Sequence, residues 1–504
     1  MHAPSVRPEH APMKQTVSYT GIHPAKNGNA VPFYQETQES APVSLHSLYN
    51  PEREAQGFAN QAESDFFIVL GIAGGYHINA LAQKNPQSTI IAVETNEATL
   101  DFLSQIPLVQ SLTQNSRILL TTIDKLDDAI LSHYKPALHG NLTILALRQW
   151  EHLFSDESTR AREKITETLK LLSGDYSVQR HFGKIWQKNI LTNLSLAEQT
   201  LSFDTIKQAT DTTKIAAIIA AGPSLNKTIR ELAAHRERYF IIATDTAYSV
   251  LCAYGITCDA VVSIDGQNVS HAHYLHCLSE TTLYAFDVCA NDSSVRKALA
   301  KKARVLLFET GHPLAQYASL FSGKRHFAHL EAGSGTVTIA AASLAKQLGF
   351  TELSFFGADF SYSDGSPYAR GTYLEPQFYK GANRLSTAET AYTALLYRTP
   401  VKPVPQTENA VTTDILEAYK DSLAAFLKAN EHVSSKNTPI CEEQFNFAAF
   451  KRAYTNDLRA CVHSEHDFDS SAYAFTTLLP LCAALGKNSA FLAYLKTLRY
   501  TESI

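Results

Sequence analysis

The sequence predicts an α/β protein built on parallel sheets, and three observations predict it. Apolar runs at 215–221, Tyr239–Thr244 and 260–264 have the length and unbroken hydrophobicity of strands buried on both faces. Helical patterns separate them: after the first run, Leu225, Ile229 and Leu232 recur at helical spacing. The runs end in small or polar residues, as strands do in open α/β sheets, where ligands bind at the carboxyl ends. The expected architecture is a central Rossmann-like domain, a smaller N-terminal α/β domain and a helical C-terminal domain.

Residues 1 to about 40 are rich in Pro, Ser, His and Gln and show no periodicity, which reads as a mobile arm with short ordered pieces within 1–60. LHSLYNPEREA (45–55) is the first anchored piece. Residues 61–150 read as the N-terminal Rossmann-like domain. A strand at Phe66–Leu70 runs into the turn Gly71-Ile72-Ala73-Gly74-Gly75-Tyr76, a helix starts at His77, and a second strand at 89–93 ends at Glu94. A glycine turn followed about 20 residues later by an acid is a Rossmann-type arrangement in which the acid holds a ribose. Glycines serve close strand–helix packing equally well, and that structural role weighs more here. Residues 151–212 read as a helical connector; Trp186, Ile190 and Leu194 share a face, and Asn189 and Asn193 are neighbours on the helix. Residues 213–400 form the central domain, with further strands at 282–286, 305–308 and Leu353–Phe356 and a small-residue helix at 337–347. Residues 401–504 are mainly helical, without a chemical constellation.

Two stretches carry the chemistry. In the first, 214–267, a strand stops at Gly222-Pro223-Ser224-Leu225. Ser224 is placed to cap the next helix, and free N–H groups beside a glycine suit a phosphate or another anion. This is not a P-loop, because no Gly-Lys-Ser/Thr follows. The next two strands end in Thr244-Asp245-Thr246 and Ser263-Ile264-Asp265. A plain strand-to-helix turn uses the same residue types, but three successive polar strand ends favour a nucleotide site. The second stretch, 331–373, holds Gly333-Ser334-Gly335 before the small-residue helix, then Gly357-Ala358-Asp359, then a loop with Tyr362, Tyr368 and Arg370. Arg370 suits a sugar carboxylate or phosphate, or equally a surface salt bridge.

A net charge of −5 argues against nucleic acid or an anionic membrane as the main partner. MHAPSVRPEHAPMKQ has no apolar h-region and no apolar run approaches spanning length, so a cytoplasmic protein is expected. Seven cysteines without a CxxC pair read as reduced thiols rather than a disulfide frame or zinc site. No clear Asp-x-Asp metal pair and no His/Cys ligand cluster is read, so neither a metal site nor a tightly bound cofactor is expected, and magnesium is left open.

The two dense stretches together resemble the motility-associated factor (Maf) family, the flagellin glycosyltransferases. The similar residues are the strand into Gly-Pro-Ser-Leu, then Ala-Thr-Asp-Thr-Ala (243–247), then Gly-Ile-x-x-Asp-x-x-Val-Ser-Ile-Asp (255–265). LHSLYNPEREA, the turn at 71–76 and FGKIWQKNILTNL are similar to segments of that family's amino-terminal half, so the resemblance spans roughly residues 44–400. The central domain also resembles bacterial sialyltransferases that use CMP-activated sugars. The resemblance implies that Gly222, Pro223, Ser224 and Leu225 contact the nucleotide. Thr244, Asp245 and Asp265 would line the ribose and base, and Ser334 and Gly335 would complete the pocket. Tyr362 and Tyr368 match the spacing of two phosphate-binding tyrosines, with Asp359 beside them in the catalytic group and Arg370 among the donor contacts. It further implies a nonulosonic acid of pseudaminic or legionaminic type, moved with inversion from CMP to Ser or Thr of flagellin, as flagellar assembly and motility require.

The resemblance departs at the general base. The sialyltransferases place a histidine after the tyrosine loop, whereas here none occurs between His329 and His432. Glu375, Glu389 and Asp359 are nearby carboxylates, and nothing selects one. Two alternatives stand beside this reading. The Gly-Pro-Ser domain also resembles archaeal hydroxymethylpterin pyrophosphokinases, which use ATP and magnesium; Asp245 and Asp265 would then hold the metal. The other is a non-catalytic flagellin-binding assembly factor with a vestigial nucleotide fold.

Overall fold

The computed structural model describes residues 17–267, 278–333, 335–405, 407, 409–430, 444–465 and 467–504. The chain divides into two compact units, Met1–His181 with Cys482–Ser489, and Phe182–Leu481 with Ala490–Ile504. The helix Ser155–Leu196 contributes its first part to one unit and its second part to the other.

In the first unit, β1 (Gly21–Pro24), β2 (Ala30–Tyr34) and β3 (Val43–Ser44) pair antiparallel in that order. The stretch expected to be a mobile arm is therefore ordered from residue 17. Composition misleads because a few anchors suffice: Tyr19 and Leu45 are buried in the unit's core. The second sheet contains β4 (Phe66–Leu70), β5 (Thr89–Glu94), β6 (Ile118–Thr122) and β7 (Leu142–Ala146), all parallel, in the order β6-β5-β4-β7. Every residue of β4 is buried, as the unbroken run FFIVL requires of a strand covered on both faces.

The second unit is built on seven parallel strands: β8 (Ile215–Ile219), β9 (Tyr239–Thr244), β10 (Ala260–Ser263), β11 (Leu283–Asp287), β12 (Arg304–Glu309), β13 (Ala328–His329) and β14 (Leu353–Phe356). Their order is β13-β12-β11-β10-β9-β8-β14. The chain thus builds outward from β8 to the edge at β13, then returns to lay β14 on the other side of β8. The return helix, Val337–Leu348, packs against β8, β9 and β10. Its alanines allow that close approach, and all nine of its buried residues are small or aliphatic. The strand order reverses at β8, and the crevice outside the carboxyl ends at such a reversal is where open α/β sheets bind ligands.

Three short strands, β15 (Tyr362–Ser363), β16 (Lys402–Pro403) and β17 (Ala410–Thr412), form an antiparallel ribbon in the order β15-β17-β16. Strands of two or three residues carry no readable period. Helices Asp414–Ala429 and Phe447–Cys461 follow.

Asn189 and Asn193 turn out to fasten strand ends. Asn189 donates from Nδ2 to the carbonyls of Gly266 (3.0 Å) and Cys289 (3.1 Å), and Asn193 to those of Val288 (3.0 Å) and Ala290 (2.8 Å). Buried carbonyls beyond the last ladder bond need donors, and a helical pair four residues apart supplies them to the loops after β10 and β11. Ile190 and Leu194, on the expected apolar face, are fully buried.

Candidate functional site

The glycine turn of the first unit is filled by its own chain. Glu94 is fully buried and accepts from Tyr19 Oη (3.1 Å), Ile72 N (3.1 Å), Ala73 N (3.5 Å), Thr95 N (2.9 Å) and Trp150 Nε1 (2.8 Å). Gly74 N donates to His46 Nε2 at 3.1 Å. A Cβ on Gly71 would sit 2.5 Å from Trp150 Cγ, so this glycine serves close packing. The amides that would hold a phosphate and the acid that would hold a ribose are satisfied internally. Burial pushes the Glu94 carboxyl up against the pull of its donors. Glu94→Ala would strand several buried donors; the expected loss is about 2–4 kcal/mol of stability in a denaturant melt. A loss below about 0.5 kcal/mol, the range of an ordinary surface change, would contradict the structural role.

The second unit holds a cavity of about 250 Å³ at the carboxyl ends of β8, β9 and β14. Ala220, Ala221 and Gly222 enter it after β8, Thr244, Asp245 and Thr246 at the end of β9, and Gly357 through Ser361 after β14. Gly335, Thr336, Val337 and Thr338 bring the start of the return helix, Pro367 and Tyr368 the tyrosine loop, and Leu416 and Tyr419 the helix Asp414–Ala429.

Six predicted site residues therefore meet in one cavity: Gly222, Thr244, Asp245, Gly335, Asp359 and Tyr368. Pro223, Ser224, Leu225, Asp265, Tyr362 and Arg370 lie outside its lining, and Ser334 lies outside the described residues. The reason begins at the first turn. Gly222 N donates to Gly357 O at 2.8 Å, and a Cβ on Gly222 would sit 2.4 Å from that oxygen and 2.6 Å from Asp359 Oδ2. Asp359 then accepts from Ser224 N (2.7 Å) and from Ser224 Oγ. Ser224 accordingly makes no side-chain cap to the helix Leu225–Ala234. A carboxylate of the protein already occupies the anion position at this helix start. Leu225 is fully buried beneath it. The Gly-Pro-Ser-Leu turn builds a wall, and Asp359 is a positioning residue that holds it. The helix start that lines the cavity is that of Val337–Leu348 instead.

Asp245 is 3% exposed and accepts from Ser263 Oγ (2.7 Å), Thr246 N (2.7 Å) and Thr246 Oγ1 (3.2 Å). Thr244 Oγ1 accepts Ala247 N at 3.4 Å, capping the helix Asp245–Ala253. Asp265 accepts Gln267 N at 2.9 Å. Arg370 is exposed, and its backbone N donates to Asn226 Oδ1 at 2.9 Å. Thus, among the described residues, two carboxylates and no lysine or arginine line the cavity.

Tyr368 retains 38% of its surface exposed, yet its phenol is pushed up to about 12. Burial is the main cause, with Tyr362, Tyr373, Asp245 and Tyr419 adding to it. It therefore stays a hydrogen-bond donor across the physiological range. Tyr362, on β15, is half-buried and raised by burial. Tyr373, which sequence reasoning missed, is raised by burial and by Asp265 and Asp245. Thr336, Thr338, Leu416 and Tyr419 were also missed; the last two come from a helix with no motif of its own.

Among the described residues, no histidine lines the cavity. His329 Nδ1 pairs with buried Glu309 Oε1 at 3.0 Å, and that bond raises its pKa. It sits on β13, four strand spacings from β9, which is roughly 19 Å at about 4.8 Å per strand. Glu375 accepts Gly371 N at 2.7 Å, and Glu389 is exposed on the helix Ala388–Leu396. Among the described residues, no group of three or more His, Cys, Asp or Glu side chains is arranged to hold a metal. Among them, too, no helix is long and apolar enough to cross a membrane.

Comparison with known proteins follows these lines. A family model described as 6-hydroxymethylpterin diphosphokinase MptE-like matches residues 188–365. Among solved structures, the MAf glycosyltransferase from Magnetospirillum magneticum AMB-1 is similar with a TM-score of 0.50 and 12% identity, over 97% of this chain and 90% of that one. At that identity the likeness is one of fold. Two Treponema pallidum (strain Nichols) proteins, both described as uncharacterised, are similar in sequence. One is 39% identical over 144 residues, 28% of this chain and 67% of the relative. The other is 33% identical over 231 residues, 45% of this chain and 76% of the relative. With two thirds or more of each relative covered at such identity, the chain belongs to the family of these two Treponema pallidum proteins, and its fold is that of the Maf glycosyltransferase.

Proposed function

We propose that this protein is a cytoplasmic glycosyltransferase that moves a nonulosonic acid, of pseudaminic or legionaminic type, from CMP to Ser or Thr of flagellin. One observation carries the reading. The cavity at the reversal of strand order joins a neutral phenol, Tyr368, to a helix start, in a fold shared with a Maf glycosyltransferase along nearly the whole chain.

The chemistry asks for these groups. The acceptor hydroxyl attacks the anomeric carbon from the face opposite the phosphate, giving inversion. The carbon–oxygen bond to phosphate breaks, its electron pair leaves with CMP, and the acceptor hydroxyl's proton passes to the solvent. Negative charge grows on the phosphate, where Tyr368 donates a hydrogen bond that strengthens as the charge develops and the positive end of the helix Val337–Leu348 favours the charge. Asp245, held by Ser263 and Thr246, faces the cavity with acceptor oxygens suited to ribose hydroxyls.

A second reading has a specific observation behind it: the diphosphokinase-like family model over 188–365. In that reading ATP replaces the CMP-sugar, and Asp245 and Asp265 hold its magnesium, Asp245 from the cavity wall. Calorimetric titration of the purified protein with CMP and with ATP, each with and without Mg²⁺, separates the two. The transferase reading expects CMP to bind at least roughly tenfold tighter than ATP, a difference of about 1.4 kcal/mol, with no need of Mg²⁺. Mg²⁺-dependent preference for ATP would overturn it in favour of the diphosphokinase.

A further inference from the structure

The cavity poses an electrostatic problem. Among the described residues, Asp245 and Asp359 line it and no cation does, and the proposed donor adds a phosphate's negative charge. Neutral donors among them supply attraction. Tyr368 is one. Among the described residues, the other phenol in the lining is Tyr419, on the helix Asp414–Ala429.

That helix is fixed in place. Thr413 Oγ1 caps it by accepting Leu416 N at 3.2 Å. Just before it, Thr412 Oγ1 donates to Phe360 O at 3.0 Å, tying the helix entry to a residue of the cavity wall. Leu416, Tyr419, Leu423 and Phe426 recur three, four and three residues apart and so share one face. Leu423 and Phe426 are buried in the core beneath the sheet, which holds this face inward, while Leu416 and Tyr419 reach the cavity.

A plain packing role would make Tyr419 one more member of an apolar stripe. Its hydroxyl argues otherwise. The buried phenols Tyr248, Tyr317 and Tyr454 are partnered inside the protein, with Tyr284 at 2.7 Å, Asp457 at 2.5 Å and Thr477 at 2.7 Å. The half-buried Tyr419 has no hydrogen bond among the described residues. Phenylalanine would fill the stripe as well, so the hydroxyl is left with the cavity as its place to act.

We propose that Tyr419 binds the donor phosphate through its hydroxyl, so that Tyr368 and Tyr419 grip the leaving group from two sides and the helix Asp414–Ala429 is part of the active site. The two phenols are near enough for Tyr419 to contribute to the raised pKa of Tyr368. This inference rests on the nucleotide-sugar reading of the cavity.

The test is Tyr419→Phe, which keeps the ring and its packing, titrated with CMP and with cytidine beside the unmodified protein. CMP should weaken roughly tenfold, the worth of one hydrogen bond to a charged group, while cytidine is unchanged. Equal weakening of both ligands would place the hydroxyl on the nucleoside and overturn the assignment, as would an unchanged affinity for CMP. If the unmodified protein binds neither ligand, the nucleotide-sugar reading itself falls, and this inference with it.

Discussion

Tyr368→Phe should lower the rate of sugar transfer by about 10²–10³-fold, the usual consequence of removing one preorganised donor from a developing oxyanion. The substitution deletes a single oxygen from a residue that lines the cavity. The thermal transition should therefore stay where it was. The effect should fall mainly on kcat, because the bond to phosphate strengthens as the leaving group takes charge. Tyr362→Phe should cost less, since Tyr362 lies on β15 outside the cavity lining and acts on Tyr368 at a distance. A Tyr368→Phe protein with full turnover would remove Tyr368 from the chemistry.

Gly222→Ala should be a strongly damaging single methyl in the second unit. The added Cβ meets the backbone oxygen of Gly357 and the carboxylate of Asp359, and neither can swing away. Gly357 O already accepts Gly222 N, and Asp359 already holds both donors of Ser224. Relief requires β8 and β14 to part at their carboxyl ends, where the cavity lies. The expected result is a loss of about 1–3 kcal/mol in a denaturant melt, typical of overpacking, together with loss of CMP binding. Asp359→Asn keeps the shape but weakens the grip on Ser224, so it should reduce CMP binding with little loss of fold. A Gly222→Ala protein that binds CMP normally would show that this turn does not set the cavity.

Much of this was legible in the sequence. Unbroken apolar runs announce strands: Phe66–Leu70, Tyr239–Thr244 and the half-buried edge strand Leu353–Phe356 stand where the runs predict. The ends of β8, β9 and β14 gave Gly222, Thr244, Asp245 and Asp359 of one cavity, because in a parallel sheet all carboxyl ends point the same way, and the stretch 331–373 added Gly335 and Tyr368. What was not legible has physical reasons. The anion expected at the Gly-Pro-Ser turn is Asp359, 135 residues away from Ser224 in the chain, and no local pattern reveals such a partner. Glu94 sits where a ribose acid belongs but is consumed by Trp150 and Tyr19, contacts that only the fold creates. Tyr419 belongs to a helix whose pattern speaks only of packing.

The most direct measurement is the intact mass of unmodified flagellin after incubation with the purified protein and a CMP-activated nonulosonic acid. The account predicts mass gains in whole units of that sugar, with release of CMP, and their near-disappearance with the Tyr368→Phe protein. Flagellin of unchanged mass, under conditions where the protein binds CMP, would contradict transfer to flagellin.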